Sequence, residues 1–183
     1  MQSYPLRLER PVLEARGMRA LDALVAAGEY GASPLLRIAI HRFKYDRVEA
    51  LKVVLGSLLI KAAPLLVAPS STVLCPVPLH WVRQFHRGFN QSYLLAKEVG
   101  AARGWEVREL LRRTRYTMSQ TKRTTSQRKH AMHQVFVAVP DGFLPSHVVL
   151  IDDVSTTGAT LDACAETLKR AGISRVEALV VAC

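Results

Sequence analysis

The sequence predicts an α/β domain with a parallel β-sheet flanked by helices. Strand-like apolar runs alternate along the chain with helix-like segments, a pattern typical of βαβ units. The clearest run, His147 to Ile151, is apolar nearly throughout, as a strand buried on both faces should be. The length of 183 residues, with 49% hydrophobic and 22% charged residues, fits a single globular domain over residues 1–183.

The first half of the chain has two helix signals. Ser33-Pro34 places an N-cap residue before a proline at the first helical position. A second helix is predicted to begin at Asp46, because Glu49 follows three residues later as in a capping box. The first thirty residues alternate apolar and charged side chains, and no element is assigned there.

The second half alternates strands and helices. Asn90 is predicted to cap a helix that Gly104 ends, and a further helix follows Asp153 and ends at Gly172. The remaining strands are predicted at Thr72 to Cys75, Trp105 to Leu111, Phe136 to Val139 and Val176 to Ala182. In a parallel sheet of this kind, ligands bind beyond the carboxyl ends of the strands.

Charge and composition narrow the function classes. The net charge is +10, and residues 103–129 carry nine basic against two acidic side chains, so anionic ligands are favoured. The three cysteines do not have zinc-ligand spacing and are predicted to be reduced thiols. No apolar run is predicted to span a membrane and no signal core is recognised, so we expect a cytoplasmic protein. Assembly into an oligomer stays open.

The segment from Asp152 to Thr160 carries the functional prediction. A buried strand delivers Asp152 and Asp153 to the edge of the sheet, and small, hydroxyl-bearing residues then lead into a helix. Backbone N–H groups at a helix start bind phosphate, and paired carboxylates accept hydrogen bonds from sugar hydroxyls. These features together predict a pocket for a ribose 5-phosphate. Its residues are Asp152, Asp153, Val154, Ser155, Thr156, Thr157, Gly158, Ala159 and Thr160.

The stretch VVLIDDVSTTGAT is similar to the phosphoribosyl-diphosphate (PRPP) signature of type I phosphoribosyltransferases. Three further stretches, HRFKY, LCPVPLHWVRQFHRGFNQS and RTRYTMSQTKRTTSQR, resemble the ComF family of competence proteins. The resemblance runs from about Tyr30 to Cys183. Family members usually begin with a four-cysteine zinc ribbon that this sequence lacks, so no zinc is expected. A further departure is Ala131, where the family often has asparagine.

The resemblance implies a type I phosphoribosyltransferase-like fold and roles for further residues. A pyrophosphate loop would include Pro78, Leu79, His80, Arg87 and Gly88. A flexible loop over Arg113 to Arg128 would close on the substrate, with Arg115, Gln120 and Lys122 facing the pyrophosphate. Mg²⁺ would be held through the ligand near Asp152 and Asp153. Residues 1–46 would form either a hood around the acceptor or an accessory helical segment.

Two functions remain open at this point, and no catalytic residue is assigned. The first is a Mg²⁺-dependent enzyme that transfers the phosphoribosyl group to an unidentified acceptor. The second is a non-catalytic PRPP- or nucleotide-binding module that assists the handling of single-stranded DNA, alone or with other competence proteins, during DNA uptake. The basic stretch is compatible with both, because a positive surface attracts any polyphosphate.

Overall fold

The computed structural model describes residues 4–69, 71–79, 88–114, 135–139 and 142–183. Its strands are β1 (Leu6–Glu9), β2 (Ala23–Gly28), β3 (Val73–Pro76), β4 (Glu106–Val107), β5 (Leu111–Arg113), β6 (Phe136–Ala138), β7 (His147–Val154) and β8 (Arg175–Ala182). Its helices are α1 (Arg10–Ala15), α2 (Pro34–Tyr45), α3 (Leu51–Ala62), α4 (Gln91–Arg103) and α5 (Ala159–Arg170), and a 3-10 turn spans Ala63–Leu65.

Within these described residues, six strands form the main sheet in the order β1-β2-β8-β7-β3-β4. β1 runs antiparallel to β2, and all other neighbours in this sheet are parallel. β5 and β6 form a separate antiparallel pair. The predicted α/β class with a mostly parallel sheet is therefore confirmed.

The core lies on both faces of the sheet. Strand β7 shows this directly, because all four residues from Val148 to Ile151 are fully buried. Val148 and Leu150 pack towards α1 and α5, whereas Val149 and Ile151 pack towards α2, α3 and α4. Successive side chains of a strand point to opposite faces, so a strand covered on both sides needs the uninterrupted apolar run that the sequence displays.

The predicted helix ends are confirmed at three places. The Ser33 hydroxyl accepts a hydrogen bond from the Leu36 N–H at 3.3 Å, and the Asn90 side chain accepts one from the Ser92 N–H at 3.1 Å. Gly104 ends α4 in the left-handed conformation, with φ +67°. Side-chain acceptors at the N-cap satisfy N–H groups that the helix cannot pair internally.

The predicted start of the second helix at Asp46 is wrong. Asp46 is instead the C-cap of α2, and α3 begins five residues later, at Leu51. Between them Arg47 adopts φ +56°, a left-handed conformation that interrupts any continuous helix. Glu49 pairs with Lys52 at 2.8 Å rather than completing a capping box.

Two other segments differ from the sequence prediction. The single strand expected over 105–111 is divided between β4, in the main sheet, and β5, in the separate pair that it forms with β6. The first thirty residues, for which the sequence predicts no element, contain β1, α1 and β2. Within the region assigned to a hood, β1 and β2 thus belong to the main sheet, and the acceptor-binding role of that region stays a prediction. Among the described residues, no helix has the length and apolarity needed to cross a bilayer.

Candidate functional site

The acid pair lies at the carboxyl end of β7, near the centre of the sheet. Asp152 is opposite Val180 of β8, and the preceding Ile151 is opposite Pro76 of β3. Asp153 is buried, with 6% of its surface exposed, while Asp152 remains partly exposed. Parallel neighbours on both sides therefore bring the two carboxylates to the edge at which sheets of this class bind ligands.

The loop after the acid pair leads directly into α5. The Ser155 N–H donates to the Ala182 carbonyl at 2.9 Å, which continues the pairing of β7 with β8. Thr156 and Thr157 are exposed, and the Thr157 hydroxyl accepts from the Ala159 N–H at 3.4 Å. The Asp162 N–H donates to the Gly158 carbonyl in the first turn of α5. The N–H groups ahead of it lack an intrahelical acceptor, as anion binding at a helix start requires.

Gly158 is required by both conformation and space. It adopts φ +72°, a region that L side chains rarely occupy. A Cβ atom at this position would also lie only 2.0 Å from the Met18 sulfur. Met18 is buried, and the Asp162 carboxylate accepts hydrogen bonds from the Ala20 and Leu21 N–H groups. The segment between α1 and β2 therefore packs against Gly158 and the first turn of α5.

The two carboxylates have different protein partners. Asp152 Oδ1 accepts from the Ser92 hydroxyl and from the Asp153 N–H, both at 2.9 Å. Asp153 Oδ1 lies 2.8 Å from Lys44 Nζ. Burial, together with the neighbouring Asp153 carboxylate, raises the pKa of Asp152 to about 7. Near neutral pH both protonation states of this carboxyl group are therefore populated.

The start of the predicted pyrophosphate loop continues from β3. The Val77 N–H donates to the Ile151 carbonyl at 3.0 Å, and the Asn90 amide donates to the Val77 carbonyl at 3.2 Å. Gly88 adopts φ +84° beside the Arg47 side chain. His80 and Arg87, the other polar members of this loop, lie outside the described residues.

A cavity of about 330 Å³ adjoins the start of the predicted pyrophosphate loop. Its lining residues are Pro78, Leu79, Asn90, Glu109, Leu111, Arg112, Arg113 and Val139. The Arg113 guanidinium lies 5.5 Å from the centre of the Phe136 ring, so the β5–β6 hairpin supports it. A second cavity of similar volume lies near Trp105, at the start of β4 and away from the acid pair.

The structure brings together residues that the sequence prediction did not connect. Lys44 and Ser92 contact the acid pair, and Arg112 and Arg113 line the cavity. Lys44 stands in HRFKY and Ser92 in the NQS sequence, so both were within stretches that carried the family resemblance. Arg115, Gln120 and Lys122, predicted for the flexible loop, lie outside the described residues. The described residues contain no cluster of three or more His, Cys, Asp or Glu side chains that could bind a metal.

Fold and site together define a class: the chain has the α/β architecture of the type I phosphoribosyltransferase-like proteins, with a polar segment at the carboxyl edge of the sheet. It is 30% identical over 168 residues to competence protein F of Haemophilus influenzae, covering 85% of this chain and 70% of that protein. The chain belongs to the ComF family.

Two further relatives agree with this assignment. DNA utilization protein YhgH of Escherichia coli strain K12 is 32% identical over 163 residues, covering 84% of this chain and 69% of that protein. Competence protein ComFC of Bacillus subtilis strain 168 is 29% identical over 147 residues, covering 78% of this chain and 57% of that protein. No family model matches the chain.

Proposed function

We propose that this protein binds PRPP with Mg²⁺ and transfers the phosphoribosyl group to an acceptor that the structure does not identify. One observation carries the proposal. Two adjacent carboxylates, a glycine with φ +72° and the start of α5 follow one another at the carboxyl end of a central parallel strand. A helix start favours phosphate, whereas a carboxylate pair favours hydroxyl groups, and a ribose 5-phosphate presents both.

Each part of the site has a distinct task in this proposal. The loop from Ser155 to Thr160 holds the 5-phosphate through backbone N–H groups and hydroxyls. Asp152 and Asp153 accept hydrogen bonds from the 2- and 3-hydroxyls of the ribose. The cavity beside Pro78 holds the pyrophosphate, where Arg112 and Arg113 supply positive charge. A guanidinium offers two parallel N–H donors, a geometry that suits phosphate oxygens.

The chemistry of the site suits Mg²⁺ delivered with the ligand. Mg²⁺ prefers oxygen ligands and is commonly bound by one or two carboxylates together with substrate phosphates. PRPP would supply phosphate and hydroxyl oxygens to the ion, and the negative charge of Asp152 and Asp153 would favour a cation beside the ribose. When bound, the ion would neutralise charge on the departing pyrophosphate.

The proposed transfer forms one bond and breaks another. A nucleophilic atom of the acceptor bonds to C1 of the ribose as the bond from C1 to the pyrophosphate oxygen breaks. The pyrophosphate leaves with the electron pair, and the acceptor loses its proton to solvent. Arginine side chains beside the leaving group stabilise the charge that develops there.

The names of the relatives support a role in DNA uptake. One is a competence protein F, one a competence protein ComFC, and one a DNA utilization protein. We propose that this chain serves the same process. The alternative is a non-catalytic PRPP-binding module that handles single-stranded DNA, and the net charge of +10 favours it because basic surfaces bind nucleic acid regardless of sequence.

Calorimetric titration with PRPP, with and without Mg²⁺, tests the proposed ligand. We expect binding that requires Mg²⁺, and an absence of PRPP binding in both conditions would refute the site assignment. Pyrophosphate release is then measured against a panel of bases and amines. Release with any acceptor supports the transferase. PRPP binding without release, combined with single-stranded DNA affinity that PRPP leaves unchanged, supports the binding module instead.

A further inference from the structure

Each carboxylate of the acid pair has one oxygen held by the protein. Asp153 Oδ1 pairs with Lys44 Nζ at 2.8 Å, and Asp152 Oδ1 accepts from the Ser92 hydroxyl at 2.9 Å. The second oxygen of each group, Oδ2, takes no part in these contacts. A carboxylate anchored through one oxygen is restrained in rotation, so its other oxygen offers a hydrogen-bond acceptor at a defined position.

The two anchoring side chains, Lys44 and Ser92, belong to α2 and α4, and these helices contact each other near both residues. Phe43, next to Lys44, is fully buried and packs against Phe89 with ring centres 5.6 Å apart. The Gln91 amide, next to Ser92, donates to the Phe43 carbonyl at 3.4 Å. The end of α2 and the start of α4 are therefore in direct contact, and they carry the two side chains that hold the acid pair.

The contacts of Lys44 with Asp153 and of Ser92 with Asp152 are largely shielded from water. Lys44 has 19% of its side chain exposed and Asp153 has 8%, and Ser92 is 3% exposed. Charged hydrogen bonds are stronger away from water, and a buried carboxylate that loses its partner is strongly disfavoured. The Lys44 ammonium also offsets one of two adjacent negative charges at a site that must accept an anionic ligand.

We infer that Lys44 and Ser92 are positioning residues that make the site selective for a sugar phosphate with two neighbouring hydroxyls. The inference rests on the proposed function and names the residues through which its site would distinguish ribose phosphates from 2-deoxyribose phosphates. A 2-deoxyribose has one hydroxyl fewer, so one of the two fixed acceptors would be left without a donor. Sites built to hydrogen-bond a hydroxyl reject analogues that lack it for this reason.

The experiment compares ribose 5-phosphate with 2-deoxyribose 5-phosphate by calorimetry in the wild type and four variants. We expect the wild type to prefer ribose 5-phosphate at least about tenfold, the effect of one hydrogen bond to a charged group. Lys44→Met removes the charge but keeps most of the stem, and it should reduce this preference to about twofold or less. Ser92→Ala should reduce it in the same direction. Lys52→Met is the control, because Lys52 forms an exposed pair with Glu49, and it should leave the preference unchanged.

The preference ratio separates positioning from a general loss of structure, which would weaken both ligands alike. Lys44→Arg restores the positive charge and should recover most of the preference. If Lys44→Met proves unstable, Ser92→Ala still tests the inference. A wild type that prefers ribose while both variants keep the full ratio overturns the inference and leaves the proposed function intact. A wild type that binds neither sugar phosphate overturns both.

Discussion

The two ends of the parallel sheet each hold a carboxylate largely shielded from water, and the surroundings of the two carboxylates are opposite. At the amino end, Glu177 of β8 is fully buried and lies 2.8 Å from Arg7, 2.9 Å from Arg175 and 3.3 Å from His147. At the carboxyl end, Asp152 has a hydroxyl partner and a second carboxylate beside it. The first carboxylate is surrounded by donors, whereas the second is crowded by like charge.

The pKa values follow from these surroundings. Burial alone would raise the pKa of Glu177, but the nearby His147 ring and the hydrogen bonds from Arg175 and Arg7 hold it at about 2. At the other end, burial and the Asp153 charge raise the pKa of Asp152 to about 7. Donors that favour the charged form indicate a carboxylate that stabilises the fold. A carboxyl group left in an unfavourable electrostatic environment indicates a site adapted to a ligand.

The amino end also connects distant parts of the chain. Arg7 of β1 donates to the Leu65 carbonyl at 2.7 Å as well as pairing with Glu177. His147 of β7 continues the network to the Thr72 hydroxyl, 2.9 Å from its Nδ1 atom. Glu177 thus links β1, β7 and β8 at this end of the sheet, so we expect its loss to destabilise the fold as a whole.

The largest expected effect is at this amino end. Glu177→Gln removes the negative charge while keeping the shape, and it leaves Arg7 and Arg175 facing a neutral group. We expect a loss of about 4 kcal/mol in the free energy of unfolding, as when one partner of a buried ion pair is removed. Urea denaturation measures it. Glu166→Gln, in an exposed pair with Arg170, is the control and should cost less than about 0.5 kcal/mol. Similar losses in the two variants would contradict a structural role for Glu177.

At the carboxyl end the expected effect is on ligand binding. Replacing both acids, Asp152→Asn with Asp153→Asn, should weaken PRPP binding by about 2–4 kcal/mol, because charged hydrogen bonds to the ribose hydroxyls are lost. Calorimetry measures the affinity, and circular dichroism checks the fold. Glu177→Gln serves as the reverse control, since any of this protein that remains folded should bind PRPP with normal affinity. Unchanged affinity in the double variant would exclude the acid pair from the site.

The difference between the ends also explains what the sequence could predict. Asp152, Asp153 and the loop to Thr160 form one continuous stretch, so local pattern alone placed them after a strand and before a helix. Lys44 and Ser92 reach the same site through tertiary contacts, and Ser92 is 60 residues from Asp152 in sequence. No local periodicity connects such residues, although both lay in stretches similar to the family.

The missed strand β2 has a different cause. Its sequence, ALVAAG, is rich in alanine and glycine, which have low β-propensity, so the segment lacks a clear strand signal. Val25 and Ala26 are nevertheless fully buried, because β2 pairs with β1 on one side and β8 on the other. Pairing with sequence-distant neighbours overrides local preference here, which single-sequence patterns cannot represent.

The smallest expected effect is a change of stability with pH, and it tests the contrast between the two carboxylates directly. Asp152 has a folded pKa of about 7, above the ordinary aspartate value of 3.8. Between these values the folded state holds a proton that the unfolded chain has released. The stability that this group contributes to the folded state is therefore fully present below pH 3.8 and is lost as the pH rises towards 7. Glu177 has a lowered pKa, so it stabilises the folded state above pH 4.5, its ordinary pKa. That stabilisation is lost as the pH falls towards 2.

Of Asp152 and Glu177, only Asp152 should change its contribution to the free energy of unfolding between pH 5 and pH 8. The variant Asp152→Asn isolates that change. The asparagine carries no charge at either pH and can still accept the Ser92 hydrogen bond, so the variant escapes the repulsion from Asp153. We expect it to gain at least about 1 kcal/mol in stability relative to the wild type on moving from pH 5 to pH 8. Urea unfolding of both proteins at the two pH values measures this, and titrations elsewhere in the chain cancel in the difference. Asp46→Asn, at an exposed position, should show the same difference from wild type at both pH values. A gain for Asp152→Asn that is equal at the two pH values, or larger at pH 5, would mean that the Asp152 carboxylate is as well accommodated as that of Glu177.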